Sequence, residues 1–148
     1  MLQLVFISFA PCLVGALNNF LLLRSIFGSA VVSGAFLVFW LLLGYWSARK
    51  QQRYQIAVLA AHVAGFVSLL LILWQFHVIE ESARNMVICA FSQFYMESIL
   101  WIVAKVSNTM NISSASVLPL HIISLIILAI TYSCGFTWGL KTKKTASK

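Results

Sequence analysis

Residues 56–76 read IAVLAAHVAGFVSLLLILWQF, a run with no formally charged residue and a single histidine. At about 1.5 Å of rise per helical residue, a stretch of about 20 apolar residues crosses a hydrocarbon core about 30 Å thick. Three more runs of this kind lie on either side of it: Leu2 to Leu23, Ser29 to Trp46 and Val117 to Leu140. Over the whole chain 61% of residues are hydrophobic and 9% are charged, whereas a soluble domain carries roughly one-quarter charged residues. The fold class that follows is an all-α integral membrane protein, a compact helical bundle.

The polar pieces between the runs are too short to bury a core of their own. A single transmembrane domain over residues 1–140 is therefore expected, followed by a basic polar tail at 141–148. Met1, Leu2 and Gln3 lack the basic region that precedes a secretory signal, so the first run is expected to be a retained span. Ten Lys and Arg against three acids give a net charge of +7. That excess sits in the short connections and the tail, at Arg49, Lys50, Arg53, Lys141, Lys143 and Lys144 above all. It reads as a topology signal and a set of contacts for anionic headgroups of the lipid bilayer, not as a nucleic-acid surface. Cys12, Cys89 and Cys134 have no metal-like or redox spacing.

Tyr45, Trp46, Tyr54, Trp74 and Trp138 stand where spans meet polar connections, as an interfacial aromatic belt does. Ala57, Ala61 and Gly65, and again Gly135 and Gly139, repeat at four-residue spacing, which lets helix backbones approach closely. Pro11 is placed to kink the first run, and Pro119 stands in the first turn of the last. Asn18 and Asn19 predict an interhelical hydrogen bond or a helix end.

Residues 86–104 are the undecided segment. Their aliphatic and aromatic side chains each favour insertion by roughly 0.3 to 0.6 kcal/mol, while a central acid such as Glu97 costs on the order of 2.5 to 3.5 kcal/mol. The sum is close to zero. Without a crossing here the bases at 49–53 and those of the tail share one side of the membrane, which the positive-inside rule favours. Against this, Asn85, Cys89, Gln93 and Glu97 form a polar ladder along one helical face, suited to the inside of a bundle. An interfacial helix would carry bases along its polar face instead. The expectation is five spans, at about 2–23, 29–46, 56–76, 86–104 and 117–140. The alternative is four spans plus an interfacial amphipathic helix at 86–104.

On five spans, helical rise places Glu97 and His62 at matching depth, with His121 in the same half of the membrane. An intramembrane acid beside histidines is the usual material of proton relays and cation sites. The candidate polar centre is His62, Gln93, Glu97 and His121, and its competing reading is helix packing or assembly. A second cluster of His77, Glu80, Glu81 and Arg84 ends the third run; a helix continuing through it pairs His77 with Glu81 and Glu80 with Arg84. Two ligands are too few for a metal, so helix-end ion pairs are expected there.

The chain holds no metalloprotease, nucleophile-elbow or nucleotide-binding signature. Asn111-Ile112-Ser113 is a formal glycosylation sequon close to the membrane. No catalytic activity, metal or cofactor is expected. The functional expectation is a multi-pass protein of the cell membrane acting as an accessory or regulatory subunit, in a homo-oligomer or a larger membrane complex. A small proton- or cation-coupled transporter or transport subunit is the alternative, and an intramembrane enzyme a weaker one.

Overall fold

A backbone in hydrocarbon must satisfy its polar groups internally, so uncharged runs of this length fold as helices. The computed structural model describes residues 2–21, 26–50, 53–112 and 117–146, leaving aside the side chains of 20, 21, 26–28, 144 and 146. The helices are α1 (Leu2–Ile7), α2 (Ala10–Leu21), α3 (Ile26–Arg49), α4 (Tyr54–Leu73), α5 (Met86–Glu97), α6 (Leu100–Thr109) and α7 (Val117–Ala146), and no strand occurs among the described residues.

This is an all-α membrane bundle. Four stretches are long and apolar enough to cross a membrane: Leu2–Asn19, Ser29–Arg49, Tyr54–Val78 and Val117–Lys143. The pair α5 and α6 makes a fifth only if it is counted as one span despite an 80° bend between its halves.

The breaks have local causes. Pro11 has no N–H to give the carbonyl of Ile7, and α1 ends there. Phe9 N–H instead bonds Phe6 O at 3.2 Å, a tighter turn that leads into α2. Where a single helix was expected over 86–104, α5 stops at Glu97. Ser98 Oγ donates to Tyr95 O at 2.9 Å, and Ile99 N–H turns to Met96 O at 3.2 Å. Ile99 leaves helical geometry at φ −127°, ψ 29°, and α6 runs on to Thr109. A side-chain hydroxyl competing for a helical carbonyl is a recognised cause of such a bend.

α4 closes in a π-helical turn over Trp74–Val78, with Ile79 N–H reaching Trp74 O at 3.1 Å. Buried Gln75 then fixes the start of α5. Its Oε1 accepts from Asn85 N–H at 3.0 Å and from the Cys89 thiol at 3.8 Å. Asn85 in turn caps α5, its Oδ1 accepting from Val87 and Ile88 N–H. The basic residues expected in a separate tail instead ride on α7, which continues through Lys141 and Lys143 to Ala146.

Small residues set the packing. An added Cβ at Gly135 would strike Leu41 O, one at Gly139 would strike Tyr45 O and Ala48, and one at Gly44 would strike Tyr132 O. Leu41 with 135 and Tyr45 with 139 ascend together, so α3 and α7 run in the same direction. α4 runs against α7: Tyr54 bonds Ser133, His62 contacts Tyr132, and Gly65 meets His121. Gly15 of α2 lies on the Phe94 backbone of α5. The core between these helices holds Trp40, Tyr95, Tyr132 and Phe136, with Ala57 and Ala61 fully enclosed.

Candidate functional site

The four side chains expected to share one polar centre occupy three separate environments. Glu97, at the last turn of α5, faces α2. Asn19 Nδ2 donates to its Oε1 at 3.1 Å and Oε2 at 3.0 Å, and Asn18 Nδ2 donates to the Glu97 carbonyl at 3.0 Å. The adjacent amides therefore form the interhelical bond their sequence suggested, with Glu97 as the partner. These donors are neutral, and among the described residues no base forms an ion pair with the carboxylate.

His62 looks the other way, into α3 and α7. Trp40 Nε1, which can only donate, lies 3.4 Å from His62 Nε2, and His62 Nδ1 lies 2.8 Å from Val58 O. In the tautomer that makes both bonds, Nε2 accepts from Trp40 and Nδ1 donates to Val58 O. Trp40 and Tyr132 meet the ring edge to face, with centroids at 5.7 and 5.8 Å. The expected apposition of His62 and Glu97 is replaced by these two sets of contacts. Helical rise fixes depth but not the direction in which a side chain points.

His121 forms the third environment. Its Nε2 donates to Gly65 O at 3.1 Å, and its ring lies 5.4 Å from that of Tyr95. Its Nδ1 is buried without a hydrogen-bond partner, as are Tyr95 Oη and Ser124 Oγ. Gln93 is half-buried, and no hydrogen bond joins it to the other three. Ser68 Oγ, one turn beyond Gly65, donates to Ser92 O and ties α4 to α5.

The second cluster is also rearranged. The π turn ends the helix at Val78, so His77 and Glu81 are not one helical turn apart. Arg84 pairs with Glu81 at 3.7 Å, not with Glu80, and the Glu81 side chain is 90% exposed. An ion pair that open is worth about 1 kcal/mol or less. No group of three or more His, Cys, Asp and Glu side chains able to hold a metal occurs among the described residues.

Among the described residues, cavities lie along the helix surfaces. One of 310 Å³ is lined by Phe9, Leu13, Ala16, Val67 and Phe91 among others; one of 390 Å³ lies between α2 and α3; one of 470 Å³ lies between α4 and α7. Their walls are predominantly apolar, and none includes His62, Glu97 or His121.

At the C-terminal ends of α3 and α7 the basic residues come together. Lys50 Nζ lies 3.9 Å above the Trp46 ring, the Arg49 guanidinium lies 5.7 Å from the Tyr45 ring, and the Tyr45 and Trp138 rings meet at a tilt of 51° with centroids 4.9 Å apart. Lys141 and Lys143 follow within a turn and a half, and Arg53 precedes α4 at the same end. Lys144 continues α7, its side chain outside the described set.

Comparison with protein-family models, with curated proteins and with solved structures returned no match.

Proposed function

We propose that the chain is a multi-pass integral protein of the cell membrane that works as an accessory or regulatory subunit, in a homo-oligomer or a larger membrane complex. Its intramembrane polar side chains hold helices in register. The observation that carries this reading is that Glu97 and both histidines bond to groups of neighbouring helices or of their own helix. Glu97 is bound by α2, His62 lies between Trp40 and Val58, and His121 is bound to Gly65 O. A transport path would bring such groups to a polar cavity, and the cavities described are apolar.

The topology proposed with it gives α5 and α6 no net crossing. α3 and α7 run the same way and α4 runs against them, so the chain re-enters α7 from the side on which α4 ended. Had α5 and α6 crossed, α7 would run in the same sense as α4.

Flux separates this reading from a proton- or cation-coupled transport subunit. That second reading is favoured by one observation: the Glu97 carboxylate has only amide donors and lies at a helix break, where transporters place ion sites. The purified chain is reconstituted in vesicles under an imposed proton or sodium gradient. The expected result is no flux above empty vesicles, for wild type and Glu97→Gln alike. A wild-type flux abolished by Glu97→Gln would replace the accessory reading with transport.

A further inference from the structure

We infer that the groove between α4 and α7 is a binding site for one anionic phospholipid, with an acyl chain in the groove and the phosphate held by Arg53 and Lys141. The inference rests on the membrane reading above and goes beyond it by naming a ligand and its contacts.

The 470 Å³ groove is lined by Tyr54, Val58, Ala129, Ile130, Cys134 and Thr137. Ile130, Cys134, Thr137 and Lys141 follow one another at three- and four-residue steps along one face of α7, so Lys141 lies on the groove's face of the helix, one turn past Thr137. Arg53, exposed, immediately precedes Tyr54 on the opposing wall. An apolar channel thus ends between two bases.

The surrounding charge has one sign. Arg49, Lys50 and Lys143 stand at the same end of the bundle, whereas Glu80 and Glu81 lie beyond the far end of α4 and Glu97 is bound to α2. Arg49 and Lys50 lean on the interfacial rings of Tyr45 and Trp46, whereas Arg53 adjoins the lining residue Tyr54 and Lys141 lies one turn past the lining residue Thr137. Interfacial aromatic residues set this level at the headgroup layer. A phosphodiester on a chain that fills the groove matches both the apolar wall and the cationic rim.

The protein, purified in a neutral detergent, is mixed with phosphatidylglycerol or phosphatidylcholine of identical acyl chains, and retained lipid is counted by native mass spectrometry. Wild type is expected to retain phosphatidylglycerol with roughly tenfold preference or more, since each base near a headgroup contributes appreciably. Arg53→Gln/Lys141→Gln is expected to erase the preference. Ala129→Leu, which fills the groove, is expected to reduce retention of both lipids, and Arg84→Gln, at the distant end of α4, is expected to leave wild-type behaviour. Equal retention of the two lipids by wild type overturns the inference. So does an equal loss in Arg84→Gln, or thermal stabilisation by inorganic phosphate matching that by phosphatidylglycerol. Fractionation of carbonate-washed membranes keeps the two readings apart: a chain that stays in the pellet yet shows no lipid preference loses the site and keeps its place in the bilayer.

Discussion

Asn19 offers one amide nitrogen to both oxygens of Glu97, so a single side chain of α2 ties the last turn of α5 to the first part of the chain. Interhelical polar contacts in membranes contribute about 0.6 kcal/mol on average and up to about 1.7 kcal/mol. A double-mutant cycle of Asn19→Ala and Glu97→Ala, read by reversible unfolding in mixed micelles, is expected to give an interaction energy of about 1 kcal/mol. A value indistinguishable from zero would leave Glu97 without a structural role. At Tyr95 the sign reverses. Its hydroxyl is buried without a partner, and removing such a group relieves a desolvation cost. Tyr95→Phe is therefore expected to leave the unfolding free energy unchanged or raise it by about 1 kcal/mol. Gly65→Ala, whose new Cβ would sit 2.5 Å from Tyr95 Cζ and 2.6 Å from Leu125 Cδ2, is expected to lower it by about 1–3 kcal/mol. These residues mark the limit of what the sequence discloses. Asn18 and Asn19 were legible as interhelical donors because amides in an apolar run must find partners. The partner was not legible, because equal depth of His62 and Glu97 carries no information on which neighbour each faces.

At the scale of the element, α3 and α7 form the closest pairing, and the spacing that permits it is written twice. Gly135 and Gly139 announce it in α7, and Gly44 with Ala48 repeats the same four-residue step in α3, a signal that a search for glycine pairs alone passes over. Each of the three glycines lies against backbone of the facing helix, and Ala48 lies beside Gly139. Gly135→Val is expected to destabilise the bundle by about 1–3 kcal/mol through overpacking. Gly34→Val, where an added Cβ meets nothing within 4 Å, is expected to change stability far less in the same unfolding assay. Similar losses at both positions would mean that helix propensity, not backbone approach, governs the effect. The break in the 86–104 segment shows why elements are harder to bound than to find. Neither Pro nor Gly marks it; Ser98 turns its hydroxyl onto Tyr95 O, a contact whose geometry depends on the helices already packed around it. Hydropathy located the segment because its apolar content is high, and left its path open because insertion was nearly balanced. Gln75, buried at the far end of α4, likewise looks in sequence like an isolated polar residue near an interface. Only the folded chain reveals that it fixes the start of α5.

For the whole molecule the relative sense of the long helices constrains topology more than hydropathy does. The parallel register of α3 and α7 puts Arg49, Lys50 and Arg53 at the same end of the bundle as Lys141 and Lys143, and in the proposed topology that is the distribution the positive-inside rule favours. α4 leads away from that side, so the turn after α4 and the connection entering α7 both belong to the other. Between them α5 and α6 bend by 80°, and in the proposed topology they return to the side from which they started. Glu97 stands at the bend, which explains how an acid is accommodated in an apolar segment: it needs to reach α2, not to pass through the bilayer centre on a lipid-facing helix. Single cysteines introduced into a chain carrying Cys12→Ala, Cys89→Ala and Cys134→Ala test this arrangement with a membrane-impermeant maleimide on sealed vesicles of one orientation. Ser82→Cys and Asn111→Cys, both at exposed positions, are expected to label from one side. Arg53→Cys and Thr145→Cys, also exposed, are expected to label only from the other. Opposite labelling of residues 82 and 111 would require α5 and α6 to cross, and would then force α3 and α7 into opposite senses. That outcome is incompatible with the stacking of Gly135 on Leu41 and Gly139 on Tyr45, so the accessibility of two loop positions decides the packing of the entire bundle.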